Sequence, residues 1–169
     1  RRGTGGEGAP LKLDLHVHLR EATNVDRPDA KFVRKLIEVI KERGLDGIAV
    51  TEHDDTAYGY RVKEVVDREF PGQIVIIPGR EVPRWPHHIV ELDLRAGCVF
   101  RFAAHPGRLR PPYPEVLDGI QGIEIENGNW VVDEPSVGAF ARERGLLLLH
   151  NSDAHSVAHI GRHYNEVDR

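Results

Sequence analysis

Asp14-Leu15-His16-Val17-His18 sets two imidazoles two residues apart at the end of an apolar run. On a strand, alternate residues share a face, so His16 and His18 point together while Leu15 and Val17 turn the other way. Two rings placed like this can chelate one ion, and Asp14 can orient one of them from behind. The arrangement recurs along the chain. Ile48–Thr51 runs into Glu52, His53 and Asp54, Ile74–Ile77 leads to Glu81, Val99–Ala104 ends at His105, and Leu146–Leu149 leads to His150, Asp153 and His155. Side chains at the ends of parallel strands meet at one mouth of an α/β sheet or barrel. Five such ends carrying imidazole or carboxylate imply a polynuclear metal site. Each segment also has a plainer reading. His16 and His18 fit an edge strand at the surface, Asp54 or Asp55 fits a helix cap, and Glu81 fits a pair with Arg80. His105 fits a buried ring satisfied by backbone, and Ser152 or Asp153 fits another cap.

Alternating strands and helices must position these groups. Phe32, Val33, Leu36, Ile37 and Ile40 recur at three- and four-residue steps, with Lys31, Arg34, Lys35, Glu38 and Lys41 outward. That is an amphipathic helix, with Pro28 near its start and Gly44 as its stop. Tyr60–Phe70, ended by Pro71-Gly72, and Pro135–Arg144 are two further helices. Ile48–Thr51 and Ile74–Ile77 read as buried strands, joined by His88–Leu94, Val99–Ala104, Gly122–Ile125, Leu146–Leu149 and Tyr164–Val167. The four consecutive leucines read as core. This order argues for β-α units and a mainly parallel sheet. Only four residues separate Leu94 from Val99, too few for a parallel crossover. Either these strands form a hairpin or the sequence lacks a connecting segment.

Bulk properties narrow the chemistry. With 169 residues, 40% hydrophobic and 30% charged, residues 11–169 read as one soluble domain. Arg1–Pro10 is glycine-rich and charged, a flexible leader or an expression remnant. No apolar run is long enough to cross a bilayer, no secretory signal stands out, and a cytoplasmic location is expected. The net charge of -4 gives no general pull toward nucleic acid or anionic membrane. A single cysteine, Cys98, excludes an internal disulfide and a thiolate-rich zinc site, leaving imidazole and carboxylate as ligands.

In their order, His16-x-His18, Thr51-Glu52-His53-Asp54, Pro78-Gly79-x-Glu81, Ala104-His105-Pro106-Gly107-Arg108 and Ser152-Asp153-Ala154-His155 resemble the PHP (polymerase and histidinol phosphatase) superfamily. The resemblance spans almost everything from Leu11 to Val167. It implies a distorted seven-stranded β/α barrel, a TIM-like arrangement, with two or three divalent metals (zinc, manganese or iron) at its C-terminal mouth. It implies His16, His18, Glu81 and Asp153 around one metal, Glu81 and His105 at a second, and His53 and His155 at a third. His88, or its neighbour His87, occupies the place of a further ligand. Glu81, Asp153 and His155 are the implied catalytic groups. The chain departs from the family after the first H-x-H, where Asp26 or Glu21 is left to complete the third site. His150 stands where the family has glycine and receives no role.

The implied chemistry is phosphoester hydrolysis. Divalent ions roughly 3.5–4 Å apart can clamp the attacking and leaving oxygens of a phosphoryl group, and a metal can lower the pKa of its water from 15.7 to about 7. Phosphate also calls for positive charge beyond the metals, for which Arg20, Arg108 and Arg162 follow motifs closely enough. The leading expectation is a phosphatase acting on a phosphorylated small molecule or nucleotide. The alternatives are a nuclease acting on nucleic-acid ends and a non-catalytic metal-binding module. Trp85, Tyr113 and Trp130 would stack on a base if they lie near the mouth, or serve as packing aromatics.

Overall fold

The computed structural model describes residues 8–95 and 97–168, so residues 1–7 of the expected leader lie outside the described residues. The first strand, β1 (Leu11–Val17), is buried from Leu13 onward, as a strand covered on both faces must be. A short helix α1 (Leu19–Thr23) comes directly after it. The amphipathic pattern then forms α2 (Ala30–Glu42), which buries Val33, Leu36, Ile37 and Ile40. Asp29 caps it: its Oδ1 accepts from the Phe32 N–H at 2.8 Å. Gly44 ends it in the left-handed region at φ 71°, where a side chain would be strained.

After β2 (Gly47–Val50) comes α3 (Ala57–Glu69), starting three residues before Tyr60. Asp55 caps its first turn by accepting from the Tyr58 N–H at 3.2 Å. β3 (Val75–Arg84) extends well past Ile77, so Glu81 sits within a strand and not in a loop after one. β4 (His87–Arg95) and β5 (Cys98–Ala104) are antiparallel, with Leu92 opposite Phe100 and Asp93 opposite Val99. The short Leu94–Val99 spacing is therefore a hairpin. β6 (Gly122–Asn127), α4 (Glu134–Arg144), β7 (Leu147–Asn151) and β8 (Asn165–Val167) complete the order.

The sheet runs β7-β6-β5-β4-β3-β2-β1-β8, with four parallel pairings and β4 antiparallel to both its neighbours. The eight strands curl into one nearly closed barrel, with three-residue β8 at its edge, antiparallel to β1. No backbone ladder joins β7 to β1 among the described residues. Side chains tie that seam instead. Asn151 Oδ1 accepts from the Leu15 N–H at 3.1 Å and from Asn165 Nδ2 at 2.9 Å. Asn165 also donates to the His150 carbonyl at 2.9 Å and accepts from the His150 N–H at 3.0 Å. Asp14, expected to orient an imidazole ring, accepts instead from the Ser152 N–H at 3.1 Å and the Gly161 N–H at 2.9 Å. Burial pushes its carboxyl up to about 6, against the lowering effect of these hydrogen bonds.

Leu13, Leu15, Ala49, Val90, Leu92, Phe102, Ala104 and Leu149 fill the barrel interior. Val17, Leu19, Ile48 and Val50 instead face the layer formed with α2 and α3. Leu15 and Val17 thus lie in different layers, although their spacing predicts a shared face. The cause is a β-bulge: between Asp14 and Val17, three steps on β1 match two on β2. The extra residue reverses the facing of the residues after it. The four leucines are not uniformly core either. Leu147 and Leu148 are 59% and 46% exposed on terminal strand β7, where Leu147 pairs with side-chain-free Gly122. No helix among the described residues is long and apolar enough to cross a membrane.

Candidate metal centre

The bulge aims His16 and His18 into the barrel mouth just above Leu13 and Leu15, and both rings are fully buried. Their Nε2 atoms lie 3.1 Å apart. Glu81 Oε2 stands 3.5 Å from His16 Nε2 and 3.2 Å from His18 Nε2. Asp153 Oδ1 stands 3.5 and 3.3 Å from the same two nitrogens. Two strands and the loop after β7 therefore converge on one point. Asp153 holds a positive φ of 50°, a strained backbone that turns its carboxylate inward.

Glu81 faces a second group with its other oxygen. Oε1 lies 2.7 Å from His88 Nδ1 and 2.9 Å from His105 Nε2. His105 follows β5, whereas His88 lies near the start of β4. Because β4 runs against its neighbours, its beginning reaches the mouth that the other strands reach with their ends. Of the two adjacent histidines, His88 is the one drawn to Glu81. A third group comprises His18, Glu21, His53 and His155. Glu21 lies 3.9 Å from His53 Nε2 and 3.6 Å from His155 Nε2. The His18 ring lies beside those of His53 and His155, with centroids 4.4 and 4.2 Å away, and those two are 6.1 Å from each other. Asp26 lies elsewhere, in a recess it shares with Arg20, Arg27, Arg61 and Arg68.

The sequence motifs assign no role to Glu124, which β6 buries completely. Its Oε1 lies 2.9 Å from His16 Nδ1, and its Oε2 accepts from the His105 N–H at 2.7 Å. Asn151 and Asn127 donate to the two oxygens at 2.9 and 2.7 Å. Glu124 thus fixes the His16 ring, the task expected of Asp14. An acidic residue near the end of strand Gly122–Ile125 was the available signal. The three arginines are not drawn into the cluster. Arg20 Nη1 faces Asp55 at 3.2 Å, Arg108 faces Asp133 at 3.5 Å, and exposed Arg162 bonds through its backbone to the His159 carbonyl at 3.1 Å. Arg20 comes nearest, through a backbone N–H that donates to Glu52 Oε1 at 2.7 Å. His150 sits apart, paired with Glu126 at 2.8 Å.

The electrostatics follow from crowding opposite charges in a dry site. Burial works against ionising Glu81, but hydrogen bonds from His105, His16 and His18 hold its carboxyl far below the usual range. Burial likewise disfavours protonated His16, yet the Glu124 charge and hydrogen bond raise its pKa well above an ordinary imidazole. For His53, burial and then the His18 charge lower it.

One test of fit to a metal is whether polar atoms lack partners. Both carboxylate oxygens of Asp153 are buried without a hydrogen bond, since the nearby ring nitrogens are close but poorly aligned. Such an orphaned carboxylate is costly unless a cation answers it. Ligands about 2.0–2.2 Å from one ion stand roughly 3–3.6 Å from each other. The two imidazoles lie 3.1 Å apart and each stands 3.2–3.5 Å from Glu81 and from Asp153, which matches that spacing, and the donor atoms of His16, His18 and Glu81 all lie within 4.8 Å of one another. Nitrogen and oxygen donors without thiolate suit zinc, manganese or iron.

Comparison with known proteins agrees. Residues 136–169 match a family model described as PHP-associated. Among solved structures, PsfC from Pseudomonas syringae superposes with a TM-score of 0.63 at 21% identity, covering 91% of this chain and 80% of that one. A Bifidobacterium adolescentis protein, provisionally named a metal-dependent phosphoesterase, superposes with a TM-score of 0.62 at 13% identity, covering 94% and 92%. The chain shares the fold of these two structures. No curated protein sequence matches it. In this fold, as the barrel topology requires, the histidine and carboxylate groups of the centre lie at one mouth.

Proposed function

We propose that this chain is a PHP domain and a metal-dependent phosphoesterase that hydrolyses the phosphate ester of a small molecule or nucleotide. In this reading His16, His18, Glu81 and Asp153 hold one divalent ion. Glu81, His88 and His105 hold a second, and Glu21, His53 and His155 serve a third. The observation that carries it is Glu81, whose two oxygens face separate sets of imidazoles, 3.2–3.5 Å away on one side and 2.7–2.9 Å on the other. When bound, such ions acidify water and offset the negative charge of the phosphoryl oxygens.

The protein's own groups have distinct tasks. Glu124 keeps the His16 Nδ1 side occupied, so that Nε2 faces the centre. Buried Glu81 and Asp153 supply fixed negative charge and keep bulk water away from the inner ligands. His53 and His155 are part-exposed at the rim, 46% and 38% in their side chains, where substrate must enter. His155 Nδ1 lies 2.9 Å from the Asp153 carbonyl oxygen, which leaves Nε2 facing Glu21 on the side of the third ion. In the hydrolysis, water oxygen forms the new bond to phosphorus, the ester P–O bond breaks, and the proton ends on the leaving alcohol. Arg20 is the arginine best placed to meet the phosphate once its pair with Asp55 opens.

Protein stripped of metal and reloaded separately with manganese, zinc or iron tests this proposal. Release of phosphate from monoesters or nucleotides, with two or three ions per chain by elemental analysis, is the expected result. If no reloaded form cleaves a phosphoester, the reading is wrong. Turnover confined to oligonucleotides would make the enzyme a nuclease.

A further inference from the structure

Trp130 has no part in the fold's three apolar clusters. Its ring is 61% exposed, yet it stands 5.4 Å, centroid to centroid, from the His105 ring at the mouth. Tyr113 makes the contrast clear: it packs against Phe140 at 4.6 Å beside α4, as a structural aromatic does. An indole with one side beside a ring of the centre and much of its surface in water is placed to receive a flat partner.

The loop that presents it is pinned. Asn127 Oδ1 accepts from the Asn129 and Trp130 N–H groups at 2.9 and 3.0 Å, while Asn127 Nδ2 donates to Glu124 at 2.7 Å. The Gly128 N–H donates to the Asn151 carbonyl at 3.1 Å. A Cβ at Gly128 would lie 2.3 Å from the Ser152 carbonyl oxygen, so only glycine allows this approach. Asn129 donates to the Asp153 carbonyl. The indole is therefore held in register with the same residues that fix His16, His105 and Asp153. Beside the loop lies a shallow recess bordered by Gly107, Arg108, Val131 and Pro135, with room for more of a bound molecule.

We infer that Trp130 is a specificity-determining residue whose exposed face stacks on a flat aromatic leaving group, a nucleobase or aryl ring, while the phosphoryl group is held at the centre. This rests on the phosphoesterase reading. It adds that esters with planar leaving groups are preferred over aliphatic ones, and that the leaving group lies on the His105 side.

The test compares a nucleoside monophosphate, phenyl phosphate and glycerol phosphate on manganese-loaded protein. Trp130→Ala should raise KM for the nucleotide about tenfold, within the range that base–aromatic stacking supplies. KM for glycerol phosphate should stay put, Trp130→Phe should restore most of the loss, and metal content should not change. A loss shared by the nucleotide and phenyl phosphate means that any planar ring suffices; a loss on the nucleotide alone identifies a nucleobase site. Equal losses on all three esters, or loss of metal, would make Trp130 a structural shield and overturn the inference. A separate reading comes from fluorescence. The chain has two tryptophans, so Trp85→Phe leaves Trp130 as the only indole. Its emission should be quenched saturably by a nucleoside monophosphate and not by glycerol phosphate. If no ester is hydrolysed but quenching persists, the phosphoesterase reading fails and the platform stands; absent quenching removes the platform whatever the hydrolysis shows.

Discussion

Two buried polar clusters meet across β1, and they differ in one respect. In the seam between β7, β1 and β8, Asp14 accepts hydrogen bonds from Ser152 and Gly161, and Asn151 and Asn165 satisfy each other and the strands beside them. In the mouth, equally buried groups approach within contact distance yet leave both oxygens of Asp153 and Nδ1 of His18 without partners. A saturated polar cluster is a structural fastener, because every desolvated group has recovered its hydrogen bond. A cluster of ligating atoms left unsatisfied is built for something else to enter. Burial alone would not have separated the two.

The largest test of this contrast is Glu81→Gln. The amide keeps the shape but loses the charge, so at least one ion should be lost and turnover should fall by roughly 100-fold or more. Elemental analysis alongside kinetics would detect it, and unchanged metal content would contradict the shared role of Glu81. Next comes Glu124→Gln, which frees the His16 ring without removing a ligand. Metal affinity should drop about 10–100-fold, as for other supporting groups behind a ligand, with the fold intact by circular dichroism. Retained affinity would mean that His16 needs no orienting partner. The smallest effect belongs to the seam. Asn165→Ala leaves several backbone groups unpaired and should cost about 1–3 kcal/mol of stability in denaturant unfolding. The folded fraction should still hold its full metal complement; loss of metal there would erase the distinction between the two clusters.

Local pattern carried much of this. Helices α2, α3 and α4 were legible because Val33, Leu36, Ile37, Ile40 and their counterparts repeat at helical steps. The imidazoles at strand ends were legible because motif and strand are neighbours in sequence. Features that depend on distant pairing were hidden. Glu124 meets His16 across 108 residues, and nothing near Glu124 distinguishes it from exposed Glu126. Asp14 misleads because its partners, Ser152 and Gly161, lie at the other end of the chain. The exposure of Leu147 and Leu148 follows from an edge position that only strand order reveals. The arginines fail to reach the cluster because Asp55 and Asp133 stand closer to Arg20 and Arg108.

The single inserted residue in β1 sets a switch of parity in the polypeptide. A regular pleat through the same residues would carry the face of Leu13 and Leu15 on to Val17, sending the paired rings toward α2 and α3 and the isopropyl group of Val17 toward the opening. The donor set of this barrel therefore hangs on one break in the pleat as much as on residue identity. A bulge-free β1 with every histidine retained would have the right composition facing the wrong way.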